Sequence, residues 1–184
     1  YNIFLIDKNY KLIYYKLKLI HFLHIIFDLI LARVFCKDKF DIKLIKLILN
    51  QNIKFHIFDS FEGLSSNLEN DEHLKNLNSD DLKKIKEQFK SNENFVKDEV
   101  LKDFNFVKTY KGWIPEKFFL VENLKFSLVH IDVDLYEPTL KSLEFFYPRL
   151  EEGGIIICDD YNSKHFNGSK KAWDEFFVNK KLKI

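Results

Sequence analysis

The chain is poor in the residues that mark several common classes of protein. It contains no methionine, and only three prolines, five glycines and two cysteines among 184 residues. Cys36 and Cys158 have no neighbours at zinc-ligand spacing, which argues against a zinc finger and against a disulfide framework. We expect both thiols to be reduced core residues of a cytoplasmic protein. Because the sequence starts at Tyr1 and lacks methionine, we expect it to be a fragment.

An excess of charge of either sign is also absent. Lys and Arg number 29 and Asp and Glu number 28, which leaves a net charge of +1. The charge balance therefore gives no support to a nucleic-acid or acidic-membrane partner. Residues 19–27 form the longest charge-free stretch near the start, and this is shorter than the about 20 residues that span a bilayer. We predict an amphipathic helical segment over residues 1–28 without a membrane span, and keep an interfacial helix as the alternative.

Glycine is missing where a nucleotide-binding sheet needs it. We predict one domain over residues 29–184, beginning with a strand over residues 29–35 and a helix over residues 38–50. A glycine-rich turn is expected between such elements, because only glycine lets the backbone approach the ligand closely. Arg33 and Lys37 stand there instead, and the first glycine of the chain is Gly63.

Two apolar runs, each followed by acids, dominate the second half of the chain. Residues 126–131 precede Asp132 and Asp134, and residues 154–158 precede Asp159 and Asp160. Runs without polar alternation predict strands buried on both faces, and helical spacing over residues 138–150 predicts the helix that joins them. Ligands bind at the carboxyl ends of the strands in such sheets, so the four acids are expected to converge at a functional site.

Converging carboxylates favour a bound cation. They repel one another and stay ionised only if positive charge lies among them. A set of oxygen ligands suits Mg²⁺ or Ca²⁺, with Mn²⁺ as a further option. The simpler interpretation is that Asp132 or Asp159 caps a helix, as Asp often does. We favour the metal or catalytic role, since an acid pair follows each of two successive strands. His130 shares a strand face with Asp132 and Asp134, and we expect it to be buried and hydrogen bonded rather than catalytic.

Two other predicted strands carry candidate ligand-binding turns. Residues 55–58 end in Asp59 and Ser60, where a carboxylate can accept hydrogen bonds from ribose hydroxyls, although such turns are common in loops. Residues 104–110 are followed by Gly112 and Trp113, which suit either a turn lining a planar ligand or a cover for the core.

Two polar stretches complete the prediction. Residues 65–95, with a helix predicted over residues 80–90, are expected to form a polar insertion over the site. Lys170 and Lys171 fall in the first turn of a helix predicted from Ser169 onward. Since cations oppose the helix dipole at that end, an anionic neighbour is expected for them.

Six motifs follow one another along the last two thirds of the chain: Phe58-Asp59-Ser60-Phe61-Glu62-Gly63-Leu64, Lys111-Gly112-Trp113-Ile114-Pro115-Glu116, His130-Ile131-Asp132-Val133-Asp134-Leu135-Tyr136-Glu137-Pro138-Thr139, Tyr147-Pro148-Arg149-Leu150, Gly153-Gly154 and Asp159-Asp160-Tyr161. In this order they closely resemble the motifs of the macrocin O-methyltransferase family. The resemblance covers residues 55–177 and implies a class I S-adenosylmethionine-dependent methyltransferase with a doubly wound, Rossmann-like α/β sheet and helices on both faces. The family acts on sugar hydroxyls of natural products and has relatives in bacterial glycan clusters.

The resemblance also implies roles for the acids. Asp132, Asp159 and Asp160 would hold Mg²⁺, and Asp134 would be the catalytic base. Such a cation lowers the pKa of a sugar hydroxyl while a nearby carboxylate accepts the proton.

Four residues are expected to bind S-adenosylmethionine. The resemblance implies that Asp59 holds the ribose, and we assign Ser60, Gly112 and Trp113 to the same cofactor. The substrate would be a small-molecule or glycan sugar, and a homo-oligomer is left open.

The chain departs from the family at both ends. Ala32, Arg33 and Lys37 replace the acid and glycines at the first strand turn, and the closing C-terminal strand pair is missing. Two alternatives are therefore kept beside the methyltransferase: a non-catalytic remnant with a lost cofactor pocket, and an Asp-x-Asp metal-dependent glycosyltransferase.

Overall fold

A five-stranded sheet organises the protein, for which a computed structural model describes residues 2–7, 54–66, 68–102, 105–163, 166–178 and 180. Its strands, in chain order, are β1 Asn2–Asp7, β2 Phe55–Asp59, β3 Val107–Lys111, β4 Phe126–Asp132 and β5 Leu150–Cys158. The helices are α1 Glu72–Lys75, α2 Ser79–Gln88, α3 Glu93–Phe95, α4 Tyr136–Phe146 and α5 Asn167–Phe177. Short 3₁₀ segments lie at Phe118–Val121, Tyr147–Arg149 and Asp159–Asn162.

The sheet has the order β3-β2-β1-β4-β5 and is mixed. β2 pairs with β3 in parallel, and β4 pairs with β5 in parallel. The central strand β1 is antiparallel to both of its neighbours, so that Asn2 lies opposite Asp132 at the end where β4 finishes. The α/β class is as predicted, but the reversed central strand differs from an all-parallel doubly wound sheet.

The prediction of a helical segment over residues 1–28 is wrong for residues 2–7. These residues fill the slot between β2 and β4, where unpaired backbone groups face the segment from both sides. Only an extended segment can satisfy both rows of donors and acceptors, whereas a helix would bond to itself. Residues 8–28, the strand predicted over residues 29–35 and the helix predicted over residues 38–50 lie outside the described residues.

The main hydrophobic core lies between one face of the sheet and helices α4 and α5. Phe58 and Val129 project from the sheet into this layer, and Phe146 of α4 meets them with no exposed surface. Fully burying such side chains contributes about 1.5–3 kcal/mol each. Phe55 and Leu128 lie on the opposite face of their strands, against Phe106. Each helix in the described residues is too short or too polar to cross a bilayer.

The insertion predicted over residues 65–95 is polar but also packed. Helix α2 has no buried residue, and the side chain of Asn78 caps it by accepting from the N–H of Asp81. Leu68 and Leu74, however, are buried in a small cluster that includes Leu135, immediately before α4. The insertion is therefore attached to the loop that follows β4.

The first turn of α4 is capped from a distance. Leu135 occupies its N-cap position and offers no side-chain acceptor, so Asp71 of the insertion accepts the N–H of Tyr136 instead. Burial raises the pKa of Asp71 to about 6, against the opposing effect of this hydrogen bond. Gly168 at the start of α5 lies against both groups: a Cβ there would fall 1.8 Å from Asp71 Oδ1 and 2.7 Å from the nitrogen of Tyr136.

Replacement of Gly168 by alanine should therefore destabilise the protein. Helix propensity alone would favour alanine by about 1 kcal/mol, but the overlap with Asp71 should outweigh it and give a net loss of about 1–3 kcal/mol. Urea denaturation measures this loss, with Asn167→Ala at the exposed neighbouring position as the control. A Gly168→Ala variant as stable as the natural protein would contradict the close approach.

Candidate active site

Three of the four predicted acids converge at one edge of the sheet. Asp132 ends β4, Asp134 follows two residues later, and Asp160 lies in the 3₁₀ turn after β5. One carboxylate oxygen from each lies within 4.8 Å of the others. The parallel register, in which Ile131 lies opposite Cys158, brings the two strand ends level and so produces this arrangement.

Asp134 adopts an unusual backbone conformation that fixes the turn. Its φ of 56° lies in the left-handed region, which Asp tolerates better than most residues. Its N–H donates to Asp160 Oδ2 at 3.1 Å, and the next N–H, that of Leu135, donates to the carbonyl of Val133. The backbone of one strand end is thus tied to the carboxylate of the other. We refer to residues 132–135 as the acidic turn.

The carboxylate of Asp159 is not among the three that lie within 4.8 Å of one another, although it is close enough to Asp132 and Asp160 to raise their pKa values. Its Oδ1 lies 3.2 Å from Nε2 of His130, whose side chain is 13 % exposed. His130 is hydrogen bonded, as predicted. The structure therefore groups Asp134 with Asp132 and Asp160, whereas the family resemblance implies Asp159 as the third cation ligand and Asp134 as the base.

Burial and mutual repulsion raise the pKa values of the grouped acids. Burial is the main cause for Asp134, whose pKa rises to about 9, and repulsion from Asp160 and Asp132 adds to it. Burial likewise raises the pKa of Asp132 to about 6 and that of Asp160 in the same direction. Negative charge is thus costly here, and a cation would relieve that cost.

A cavity of about 280 Å³ adjoins the acidic turn. All four residues predicted to bind the cofactor line it: Asp59, Ser60, Gly112 and Trp113. Val133 and Leu135, which alternate with the acids of the turn, also line it. The predicted cofactor residues and the acidic turn therefore border one space.

The wall at the ends of β2 and β3 is built around Asp59. Its Oδ1 accepts the N–H of Phe61 at 2.6 Å, and its carbonyl accepts the N–H of Gly112 at 3.0 Å. Burial raises the pKa of this carboxyl. Trp113 is 36 % exposed and borders the cavity. Its backbone N–H donates to the side chain of Glu116. An acid that accepts hydrogen bonds and an accessible aromatic ring thus face the same space.

Sequence reasoning missed Asp71 and also Glu116 and Glu137, both of which line the cavity. Glu137 and Glu116 stand inside the quoted motifs, which was the available signal. Asp71 lies in a polar stretch without any pattern that distinguishes it from its neighbours.

The anionic neighbour expected for Lys170 is Asp174 on the same helix, with Nζ 2.6 Å from Oδ2.

Comparisons with known proteins agree with the motifs. The profile of the family described as macrocin-O-methyltransferase (TylF) matches residues 44–184. A curated relative from Streptomyces olivaceus, 8-demethyl-8-(2,3-dimethoxy-alpha-L-rhamnosyl)-tetracenomycin-C 4'-O-methyltransferase, is 36 % identical over 55 residues, which is 30 % of this chain and 21 % of the relative.

Two solved structures are similar. CalS11, a calicheamicin methyltransferase, matches with a TM-score of 0.52 and 21 % identity over 69 % of this chain and 54 % of its own, which indicates a shared fold. The O-methyltransferase NovP matches with a TM-score of 0.44 and 25 % identity over 67 % of this chain and 50 % of its own. The chain thus spans about half the length of these two proteins.

Removal of charge from the acidic turn should stabilise the protein when metal is chelated. The pKa of Asp134 is about 9 in the folded protein, whereas the ordinary value for an aspartate is 3.8. At pH values between these two, the folded state therefore binds more protons than the unfolded state. The free energy of unfolding must then fall as pH rises through this window. Asp134→Asn should raise it by about 1–3 kcal/mol near pH 8 and by much less near pH 5.

Urea denaturation in the presence of a chelator at both pH values measures the effect. Asp174→Asn is the control, because a hydrogen bond from Lys170 lowers the pKa of Asp174 and its loss should not stabilise at either pH. Equal stability of Asp134→Asn and the natural protein near pH 8 would show that the acidic turn carries no such cost.

Proposed function

The chain belongs to the macrocin O-methyltransferase family, and on that premise we propose that it transfers a methyl group from S-adenosylmethionine to a sugar hydroxyl with the help of a divalent cation. The acceptor would be a glycosylated natural product or a bacterial glycan, in keeping with the rhamnosyl-bearing substrate named for the Streptomyces olivaceus relative. The observation that carries the proposal is the group of three acids beside the cavity.

The acids fit a hard divalent cation. Asp132, Asp134 and Asp160 offer three oxygens within 4.8 Å of one another, and Mg²⁺ prefers oxygen ligands. Their raised pKa values show that the site disfavours negative charge unless a cation offsets it. We retain Asp159 as a predicted further ligand. When bound, the ion would lower the pKa of the acceptor hydroxyl.

Asp134 is our candidate for the general base. Its pKa of about 9 applies to the site without a cation. A cation bound beside it would lower that pKa, so that the carboxylate is ionised near neutral pH and can accept the hydroxyl proton. The hydrogen bond from its own N–H to Asp160 and the left-handed backbone hold it in place. The remaining requirement is to hold acceptor and methyl donor at attack distance, which supplies much of the rate in such transfers.

The cavity fits part of a nucleoside-containing cofactor. Its volume of about 280 Å³ lies at the small end of the roughly 300–1,000 Å³ of typical ligand pockets. The carboxylate of Asp59 suits ribose hydroxyls, and Trp113 offers a ring for a planar base. Ser60 and Gly112 complete this wall.

A second candidate function is favoured by the central strand. β1 is antiparallel to its neighbours. Its amino end at Asn2, rather than its carboxyl end, therefore lies beside the acidic turn. Ligands of doubly wound sheets bind at strand carboxyl ends, so this arrangement favours a non-catalytic family member that retains the cation site alone. The glycosyltransferase alternative has no comparable observation in its favour.

Titration calorimetry separates these candidates. We expect S-adenosylmethionine to bind the natural protein, and Asp59→Ala to weaken binding at least about tenfold through the loss of charged hydrogen bonds. Glu62→Ala is the control, since Glu62 is an exposed acid of the same loop. Binding of Mg²⁺ without S-adenosylmethionine would support the non-catalytic candidate, and binding of a nucleotide sugar would support the glycosyltransferase.

The cation ligands can be tested acid by acid. Asp132→Asn and Asp160→Asn should each abolish Mg²⁺ binding in calorimetry and Mg²⁺-dependent methylation, detected as a mass increase of the acceptor. Asp159→Asn should have a smaller effect, because Asp159 lies against His130 and not in the group of three. The exposed Asp80→Asn serves as control. Natural activity in Asp132→Asn would refute the metal assignment.

A further inference from the structure

A buried carboxylate outside the acidic turn connects it to the cavity wall. Asp71 is 3 % exposed and lies a few residues after Leu64, which lines the cavity. Its Oδ1 and Oδ2 accept the backbone N–H of Tyr136 at 3.1 and 3.3 Å. Tyr136 begins α4, two positions after Asp134. The side chain of Asp71, 65 residues before Tyr136 in sequence, therefore holds the C-terminal end of the acidic turn.

The acidic turn lacks an acceptor of its own at this end. Leu135 is at the N-cap position of α4, where Ser, Thr, Asp or Asn would accept an orphan N–H. The hydrogen bonds of Asp134 and Leu135 point elsewhere, to Asp160 and to Val133. Asp71 supplies the missing acceptor.

Asp71 is itself rigidly held. Its N–H donates to the carbonyl of Leu68, and its carbonyl accepts from the N–H groups of Leu74 and Lys75 in α1. Leu68 and Leu74 pack in one buried cluster with Leu135. A displacement of either the insertion or the acidic turn would therefore disturb the other.

We infer that Asp71 is a positioning residue, which sets the acidic turn against the cavity wall without touching cation, cofactor or acceptor. The inference rests on the proposed function for its effects on cation binding and turnover. Removal of an outer partner that orients metal-binding groups commonly costs about 10- to 100-fold in affinity or activity. Asp71 should act in this way through the backbone of Tyr136.

The first test uses two substitutions of Asp71 in the full chain. Asp71→Ala should weaken Mg²⁺ binding at least about tenfold and lower kcat, with the far-ultraviolet circular dichroism unchanged. Asp71→Asn keeps a carbonyl acceptor at the same place and should restore most of both. Asp80→Ala, an exposed acid of the same insertion, should leave both unchanged. Equal losses in Asp71→Asn and Asp71→Ala would overturn the inference.

The second test removes the donor in place of the acceptor. Tyr136→Pro deletes the N–H at a first helical position, where proline is well tolerated, and Leu135 already has the extended conformation that a residue before proline requires. Tyr136→Ala is the matched control, since it keeps the N–H and loses, like Tyr136→Pro, the hydroxyl bond to Glu175 and the ring beside Lys171. Tyr136→Pro should weaken Mg²⁺ binding as Asp71→Ala does.

The double variant of Asp71→Ala and Tyr136→Pro should bind Mg²⁺ no more weakly than Tyr136→Pro alone, because both substitutions remove the same hydrogen bond. Additive losses would show that the two residues act separately and would refute the inference. If Asp71→Ala folds poorly, Asp71→Asn and Tyr136→Pro still test the inference, because only Tyr136→Pro should weaken Mg²⁺ binding.

Amide hydrogen exchange separates failure of this inference from failure of the proposed function. In Asp71→Ala the N–H groups of Tyr136 and Asp134 should exchange faster, while that of Gly112, bonded to Asp59, should not change. Absence of Mg²⁺ and S-adenosylmethionine binding in the natural protein would refute the proposed function, and the exchange rates would still test Asp71. Unchanged exchange at Tyr136 and Asp134 would refute its positioning role.

Discussion

The repulsion among buried carboxylates at the ends of β4 and β5 is the constraint on which the candidate site depends. The parallel pairing of β4 with β5 holds these acids together, and they are tolerated only if some of them take up protons or if a cation lies among them. Burial and repulsion raise the pKa values of Asp132 and Asp134 accordingly. The proposed cation would offset the cost that the group imposes on stability.

Much of this half of the site was predictable from sequence because it is local. Strand β4, helix α4 and strand β5 form one crossover unit, and such units are right-handed as a rule. This unit places the carboxyl ends of β4 and β5 side by side, independently of the rest of the chain. Helix α4 and strands β2 to β5 accordingly lie close to their predicted positions. Which carboxylates turn toward one another is a different question. It depends on the left-handed φ of Asp134 and on the hydrogen bond between His130 and Asp159, and neither has a signal in the residue pattern.

Long-range features escaped prediction for a related reason. The reversed strand β1 is selected by open hydrogen-bonding edges on β2 and β4, which are distant in sequence, and its residues show no pattern that fixes direction. Asp71 is likewise one acid among many in a polar insertion until the fold brings it against Tyr136 and Gly168. Pattern analysis finds residues whose role follows from their neighbours in sequence, and misses those whose role follows from a contact across the fold.

The topology also explains how the two halves of the site can be separated. The acidic turn belongs to the pair β4 and β5, the wall with Asp59 and Gly112 belongs to the pair β2 and β3, and β1 stands between them in the sheet. Each pair is internally parallel and carries its own loops, so a change in one wall need not disturb the other. The hydrogen bond from Tyr136 to Asp71 and the cluster of Leu68, Leu74 and Leu135 connect the insertion to the acidic turn. The proposed methyl transfer would need the acidic turn held in a fixed position, since attack distance governs the rate. Burial of the Asp71 carboxylate is costly, since desolvation raises its pKa. Its inferred role in positioning the acidic turn explains why a carboxylate is nevertheless found there.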